Sequence, residues 1–361
     1  MTTLKKGWDR STMMSLFLKE ATYDAGVLMT APGACSMKAF DMSVDWPDIV
    51  ATDKDMITGY EHGTDQEILM TAAKMTYKED NVKPNSLAGL AALVLGSTTP
   101  TQDGALTAYR HHIVPVTYGT ALPSIQVEDK FAGLQYAYKG VKGDRLKLSG
   151  KAGGFLSMEV DLLGSGTRAT SATEFAASIT ESWLKMGSAN VWMETGANIS
   201  VVSSPALSQG SENISSATPD NLGPRLLSFE FLWDNKLKGQ PGFGGGLVFQ
   251  DIDSGRRTGG LKFTLEFSSD TELAYYTSQV ACAFELNLKG AQIVTASPAS
   301  TLYYGAILQI PLFKLKPAPL PKAGPNDTVT QEFDCEIYDD GTNTAVILDV
   351  FNAQAAYLAA A

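Results

Sequence analysis

The chain is poor in the residues that most often build chemistry or covalent scaffolding. Only three cysteines occur, Cys35, Cys282 and Cys335, and their odd number and wide spacing exclude a disulfide framework and a zinc ribbon. Such a set suits a reducing compartment. Histidine is equally scarce, with His62, His111 and His112 the whole supply. His111 and His112 are adjacent on a predicted strand, so they point to opposite faces, cannot chelate one ion together, and read as surface or interface residues. Positive charge is in deficit: 28 Lys and Arg against 39 Asp and Glu leave a net −11. That balance repels nucleic acid phosphates, and no basic patch overrides it. The best apolar run, Leu87 to Leu95, is about half of the ~20 residues that a transmembrane helix needs, which excludes a helical membrane span. At the N-terminus, Gly7-Trp8-Asp9-Arg10 stands where a signal peptide would carry its apolar stretch, so synthesis in the cytoplasm is expected.

Catalytic signatures are missing too. Ser149-Gly150-Lys151 lacks the glycine five residues before Gly150 that a phosphate-binding loop requires. The cluster Gly242-Phe-Gly-Gly-Gly246 lies between predicted strands rather than at a strand-to-helix junction, which removes a dinucleotide fingerprint. Asp251-Ile252-Asp253 has no closing glutamate for a calcium loop, and the Asn-x-Ser/Thr triplets at Asn198, Asn213 and Asn326 have no secretion signal to give them meaning. Paired carboxylates, as in a β-sandwich glycoside hydrolase, are the one enzyme-like option, and no motif singles out a pair. The sequence therefore predicts no enzyme, no cofactor and no metal site.

What is present is core-forming material in short pieces. Hydrophobic residues make up 44% of 361 positions, ample for two domains or one large β domain. The 33 Gly and 16 Pro are scattered, as turns between many strands would be. Residues 1–36 read as an N-terminal arm whose Met13, Met14, Leu16 and Phe17 need a partner surface, either this chain's own core or another subunit. Strands are predicted at Met37 to Val44 and Glu67 to Lys78. A helix follows from Asn85 to Leu95, with Asn85 and Ser86 as cap types after Pro84 and Gly96 as its stop. Five further strands are predicted at Tyr109–Val116, Ser124–Glu128, Gly133–Gly140, Asp144–Ser149 and Phe155–Leu163. In the last, Leu156, Met158, Val160 and Leu162 point one way, and Ser157, Glu159 and Asp161 the other. Gly164 to Glu174 reads as the joint between halves.

The second half repeats the plan of the first at an offset of about 190. Met37–Trp46 matches Leu226–Trp233, each an alternating strand ending at tryptophan. The Gly-bearing loop Asp48–Gly63 matches Lys238–Gly260, Glu67–Asp80 matches Gly260–Asp270, and the helix Asn85–Leu95 matches one from Asp270 to about Ala281. Beyond the helices, Gly96 is set against Gly290 and Tyr109–Val116 against Tyr303–Leu312. Leu134–Tyr138 and Phe155–Leu163 are set against Glu332–Tyr338 and Thr344–Val350.

The stretches His111-His-Ile-Val-Pro115, Leu122-Pro-Ser-Ile-Gln-Val-Glu128, Gly133-Leu-Gln-Tyr-Ala-Tyr-Lys-Gly140 and Phe155 to Gly164, with Leu226 to Asp270 and Leu308-Gln-Ile-Pro-Leu312, give the chain its likeness. In sequence and order they resemble the tail tube (major tail) proteins of long-tailed bacteriophages, in the form that carries two tube domains; the resemblance covers about residues 37 to 352. It implies a mainly β fold: two tandem β-sandwich or partial-barrel domains, each with one flanking helix, at 37–166 and 167–361. It further implies three chains closing a pseudo-hexameric ring with a continuous inner β-barrel, and stacked rings forming the virion tail tube that delivers DNA without binding it. Implied partners are further copies of the chain, the tape measure, the terminator and the baseplate or tip, with no membrane insertion and assembly in the host cytoplasm. Closing the sheet removes exposed edges, and ring and axial contacts give closure and a filament respectively.

Acids facing such a channel would keep phosphates away over roughly the ~8 Å Debye length. The residues expected there are Glu159 and Asp161 and, by the repeat, Asp349. The arm, the two Gly-bearing loops and the Pro-rich segment Lys316–Pro325 are expected to make ring-to-ring contacts. Deleting residues 2–30 is then expected to leave a folded chain that makes no tubes. The alternatives are another virion tail component, terminator or baseplate, and a non-viral β-sandwich carbohydrate-binding protein.

Overall fold

A computed structural model describes residues 11–27, 29, 37–38, 41–45, 48–52, 66–103, 108–131, 134–171, 181–195, 200–201, 214–215, 220–243, 246–267, 271–293, 303–317, 321, 328–339, 341 and 344–360. The first half opens with β1 (Ser11–Met14), β2 (Leu18–Lys19), β3 (Met37–Lys38) and β4 (Asp41–Asp45). A hairpin of β5 (Asp48–Thr52) and β6 (Gln66–Thr71) leads to β7 (Ala73–Glu79), helix α1 (Pro84–Leu95), β8 (Gly96–Gln102) and β9 (Tyr109–Pro115). Then come β10 (Ile125–Phe131), the long β11 (Leu134–Lys151), β12 (Ser157–Gly164) and β13 (Arg168–Thr170). The second half comprises β14 (Ala189–Thr195), β15 (Ser200–Val201), β16 (Ile214–Ser215), β17 (Asp220–Asn221), β18 (Leu226–Asp234), β19 (Lys238–Pro241), β20 (Phe249–Asp253) and β21 (Thr258–Glu266). It closes with α2 (Thr271–Ser278), β22 (Cys282–Gln292), β23 (Tyr303–Leu315), β24 (Thr330–Ile337), β25 (Ile347–Asn352) and β26 (Ala359–Ala360).

The chain is mainly β, as its turn-rich composition predicts. Period-two burial drives the sheets: β12 alternates half-buried and buried along its whole length, with Met158, Val160 and Leu162 turned inward. The predicted strands Gly133–Gly140 and Asp144–Ser149 are one strand, β11, with a register irregularity between Gly143 and Arg145. Such an irregularity bends a strand. The first part of β11 accordingly pairs with β10 and β13, and the last part with β12 and β18.

Three runs of paired strands result, joined where β11 and β23 pass from one to another. One sheet runs β4-β7-β12-β11-β18-β21-β24 and crosses between the halves at the β11–β18 pair. A second runs β3-β1-β10-β11-β13. The third runs β17-β14-β22-β23-β25-β9-β8. Within the first half β1 pairs with β10 and β3, β4 with β7, β5 with β6, β7 with β12, and β11 with β10, β12 and β13. The same pattern recurs in the second: β14 with β22 and β17, β18 with β21, β19 with β20, β21 with β24, and β23 with β22, β24 and β25.

This pattern matches the sequence correspondences up to the helices and differs after them. The hairpin β8–β9 has no counterpart after α2, where β22 begins directly. Tyr109–Val116 therefore has no partner in Tyr303–Leu312; by pairing, β10–β11 corresponds to β22–β23, β12 to β24 and β13 to β25. An inserted hairpin shortens the offset between halves, which a fixed spacing of about 190 does not register. Arg168–Thr170 pairs with β11, so the first set extends past residue 166, and β1 brings part of the 1–36 arm into it.

Helix α1 is buried at every position, because its sequence Pro-Asn-Ser-Leu-Ala-Gly-Leu-Ala-Ala-Leu-Val-Leu is apolar all round. Each buried leucine contributes about 1.5–3 kcal/mol relative to exposure. Lys83 rather than Asn85 is the N-cap, and Asn85 and Ser86 lie in the first turn. Both helix ends are completed by distant segments. Glu181 Oε2 accepts from the Asn85 backbone N–H at 2.7 Å, and Asn235 Nδ2 donates to the Val94 and Gly143 carbonyls at 2.7 and 2.9 Å. Gly96 ends the helix at φ 91°, the left-handed conformation that favours glycine.

Candidate functional site

The seven-stranded sheet has one apolar face packed into the core and one polar face. Register fixes which side chains share the polar face, since directly opposed residues in antiparallel strands point the same way. One row runs Lys78, Glu159, Lys147, Leu232, Gly260 and Glu336; the next runs Thr76, Asp161, Arg145, Asp234 and Thr258. A third joins Ser149, Glu230, Lys262 and Asp334. Among the described side chains this face carries Asp45, Glu159, Asp161, Glu230, Asp234, Glu266, Glu332, Asp334 and Glu336 against Lys74, Lys78, Arg145, Lys147, Lys151 and Lys262, and the end of β23, paired to β24, adds Lys314 opposite Glu336 and Lys316 at 3.5 Å from Asp334, a balance of 8 − 9 = −1. Acid and base interleave and nearly balance.

Glu159 and Asp161 stand side by side on this face with side chains 30% and 26% exposed. Arg145 Nη2 bridges them, 3.2 Å from Glu159 Oε1 and 2.6 Å from Asp161 Oδ2. Lys78 Nζ lies 3.4 Å from Glu159, and Thr76 Oγ1 donates to Asp161 at 2.9 Å. Lys147 pairs with Glu230 at 2.8 Å, carrying the ion-pair network into the second half.

Asp349 is not with them. It lies on β25 in the third sheet, 0% exposed, with His112 Nδ1 at 3.1 Å and Arg110 Nε at 3.5 Å. Its placement beside Glu159 rested on matching Phe155–Leu163 to Thr344–Val350, whereas β12 corresponds to β24. The acids that occupy the matching positions are Glu332, Asp334 and Glu336, which the alternation Glu-Phe-Asp-Cys-Glu displays in the sequence.

His111 and His112 do diverge as strand geometry requires, yet His111 is buried rather than at the surface. Its Nε2 meets Asn352 Oδ1 at 3.2 Å and the Gln354 carbonyl at 2.8 Å, and burial lowers its pKa to about 4. Cys282 and Cys335 are buried free thiols, and desolvation pushes Cys282 up to about 12. Protonated and enclosed, they pack as small apolar groups. A cavity of about 470 Å³ at one end of the polar face is lined by Ser149, Gly150, Phe155, Phe229, Glu230 and Lys262, among others.

Of the expected contact segments, the arm lies on the chain's own core from Ser11 onward. Met13, Met14 and Leu16 are buried, and the Glu20 carboxylate accepts from the backbone N–H groups of Asp24, Gly26 and Gly140 and from Ser124 Oγ. The Gly-bearing loop of the second half is the hairpin β19–β20, anchored on the first half by Lys142 Nζ to Asp251 at 2.8 Å, with Phe243 fully exposed at its tip. Residues 53–65 of the first-half loop and most of Lys316–Pro325 lie outside the described residues, as does Cys35.

The likeness drawn from strand order is matched by a family model described as phage tail tube protein, which aligns with residues 80–337. No curated protein matches the chain. The aligned segment takes in α1, the β11–β18 junction, α2 and the acidic strand β24, more than two thirds of the 361 residues. By that match and the mainly β architecture that accompanies it, the chain belongs to the phage tail tube protein family.

Proposed function

We propose that the chain is the repeating subunit of a phage tail tube. Three copies, each contributing two tube-type domains, close a pseudo-sixfold ring, and rings stack into a hollow conduit in the virion tail. Its role is structural rather than catalytic. The single observation that carries this reading is the seven-stranded sheet that runs unbroken through both halves with one continuous polar face on which acid and base interleave. Among the described residues β4 pairs with β7 alone, which leaves an edge at one end of that sheet. An exposed edge is a liability that ring closure removes. On this reading the polar face lines the channel, Glu159 and Asp161 among its acids, and DNA slides past without being held. Asp349, enclosed in another sheet, has no part in it. Tube ends would meet the terminator, the tip or baseplate and the tape measure.

Negative-stain electron microscopy of the purified chain at rising concentration tests the reading. Hollow tubes with threefold or pseudo-sixfold end views are expected. A discrete closed oligomer without a channel would overturn it.

A further inference from the structure

The contact between the two halves inside one chain is a template for a contact between chains. Within the chain, α1 packs on β8, β9 and β11 of its own half, and its Leu87 also meets Leu286, Leu288, Ala306, Leu308 and Leu348 of the second half around one small apolar space that Leu148 and Leu156 complete. Among the described residues, the helix in the matching place of the second half, α2, has no such apolar space against it. Counting from each helix start, Ala274 of α2 stands where Leu87 stands in α1, and Ala274 is exposed while Leu87 is buried. Ala274, Thr277 and Ser278 are all exposed, and Tyr275 and Tyr276 are half-buried against the core.

The first half, in turn, carries the matching strands with their far end exposed. The hairpins β10–β11 and β22–β23 share an irregularity one pair into the ladder, Ile125/Val127 in one and Cys282/Phe284 in the other. Aligning these irregularities sets the pair Phe131 and Leu134 in the place of Leu288 and Ala306, and Tyr136 in the place of Leu308. Thr170, opposite Tyr136, then takes the place of Leu348, opposite Leu308. In this chain Phe131 is 53% and Leu134 59% exposed, two of its large exposed hydrophobic side chains, and Thr170 is exposed as well.

Building on the ring reading above, we propose that the Phe131–Leu134–Tyr136 face of one copy covers helix α2 of the adjacent copy. It repeats between chains the packing that β22, β23 and β25 make on α1 within a chain. The occupant is a second copy because both half-surfaces are present, with Ala274 on one and Phe131 and Leu134 on the other exposed, and each matches one side of a contact the same fold already makes. Chemistry agrees with the different histories of the two sites. The α1 contact never meets water once the chain folds and is wholly aliphatic. The α2 contact must be soluble before assembly, and it presents tyrosines, threonine and serine with two apolar anchors, the composition of a surface that associates after folding.

The test is site-directed cross-linking in a Cys35→Ser background, with Ala274→Cys and Leu134→Cys in the same chain and a short bismaleimide as probe. Both positions are exposed, and the two remaining native thiols are buried. Assembled particles are expected to yield covalent dimers and, where rings close on three copies, covalent trimers, with neither single-cysteine variant doing so. Particles that assemble normally yet give no cross-link would overturn the proposed contact and leave the tube reading standing. If neither particles nor cross-links form at any concentration, both fail. As a second measurement, Leu134→Asp, at an exposed site, is expected to keep the far-ultraviolet spectrum and melting temperature while raising the concentration needed for assembly at least tenfold. Unchanged assembly would count against the contact.

Discussion

Glu181 holds the N-terminus of α1 from the far side of the inter-half segment, and its burial raises its pKa to about 7 from 4.5. The folded state therefore binds this proton more tightly than the unfolded state does. The resulting stabilisation is fully present below pH 4.5 and is lost as pH rises through about 7. His111 runs the other way: its pKa falls from 6.5 to about 4, so its contribution is present above pH 6.5 and is lost as pH falls toward 4. Replacing Glu181 by Gln keeps an oxygen for the Asn85 N–H and removes the titration. The variant is expected to gain stability on wild type, by roughly 1–3 kcal/mol, between pH 5 and pH 8; paired thermal melts at the two pH values read the difference. On the polar face, Glu159→Lys with Asp161→Lys puts two cations beside Arg145 and Lys78. Half-exposed ion pairs are worth about 0.2–1 kcal/mol each, so the double variant is expected to fold with a loss on the order of 1–2 kcal/mol. Its tubes are expected to form but to slow DNA ejection; an unchanged ejection rate would remove these residues from the channel wall.

At the scale of elements, α1 is held by close approach. A Cβ added at Gly143 would stand 2.7 Å from Val94 Cγ2 and 2.8 Å from Val94 Cα, so the bend of β11 must carry glycine where the helix crosses it. Gly143→Ala is expected to cost about 1–3 kcal/mol, as overpacking does, measured by denaturant titration. Asn235 joins the Val94 and Gly143 carbonyls to the Trp233 indole N–H. Asn235→Ala strands these buried groups, for about 1–3 kcal/mol. The N-terminal arm also changes character. Removing residues 2–30 deletes β1 and the buried Met13, Met14 and Leu16, where each truncation of a large core residue costs about 2–5 kcal/mol. The truncated chain is therefore expected to fail to fold, seen as loss of soluble protein, rather than to fold without assembling.

For the whole molecule, the halves share one hydrophobic core. α1 belongs to the first half yet packs its Leu87 against the second as well, β9 pairs with β25, and β11 with β18. Calorimetry is expected to show one cooperative transition, and residues 1–171 expressed alone are expected not to fold, because Leu87 of α1 would lose its second-half neighbours and β9 and β11 their strand partners. Two separate transitions would show that the halves are independent. A single cooperative unit across the junction would suit the ring subunit proposed above.

Period-two alternation, the apolar run before Gly96 and the shortage of histidine, cysteine and positive charge are local or compositional, and the sequence alone determined the strands, α1 and the polar side of β12 from them. The same local rule placed Glu159 and Asp161 on one face. Which strand lies beside which is not legible in this way: the inserted hairpin β8–β9 shifts the correspondence between halves, and Asp349 lies on β25, away from the strands that carry Glu159 and Asp161. Strand pairing is nonlocal, decided by which apolar faces can be buried together, and no spacing along the chain encodes it. Only the tertiary structure decided that β11 bends through two sheets, that the arm closes its own core, and that Leu87 of α1 is buried while Ala274 of α2 is exposed.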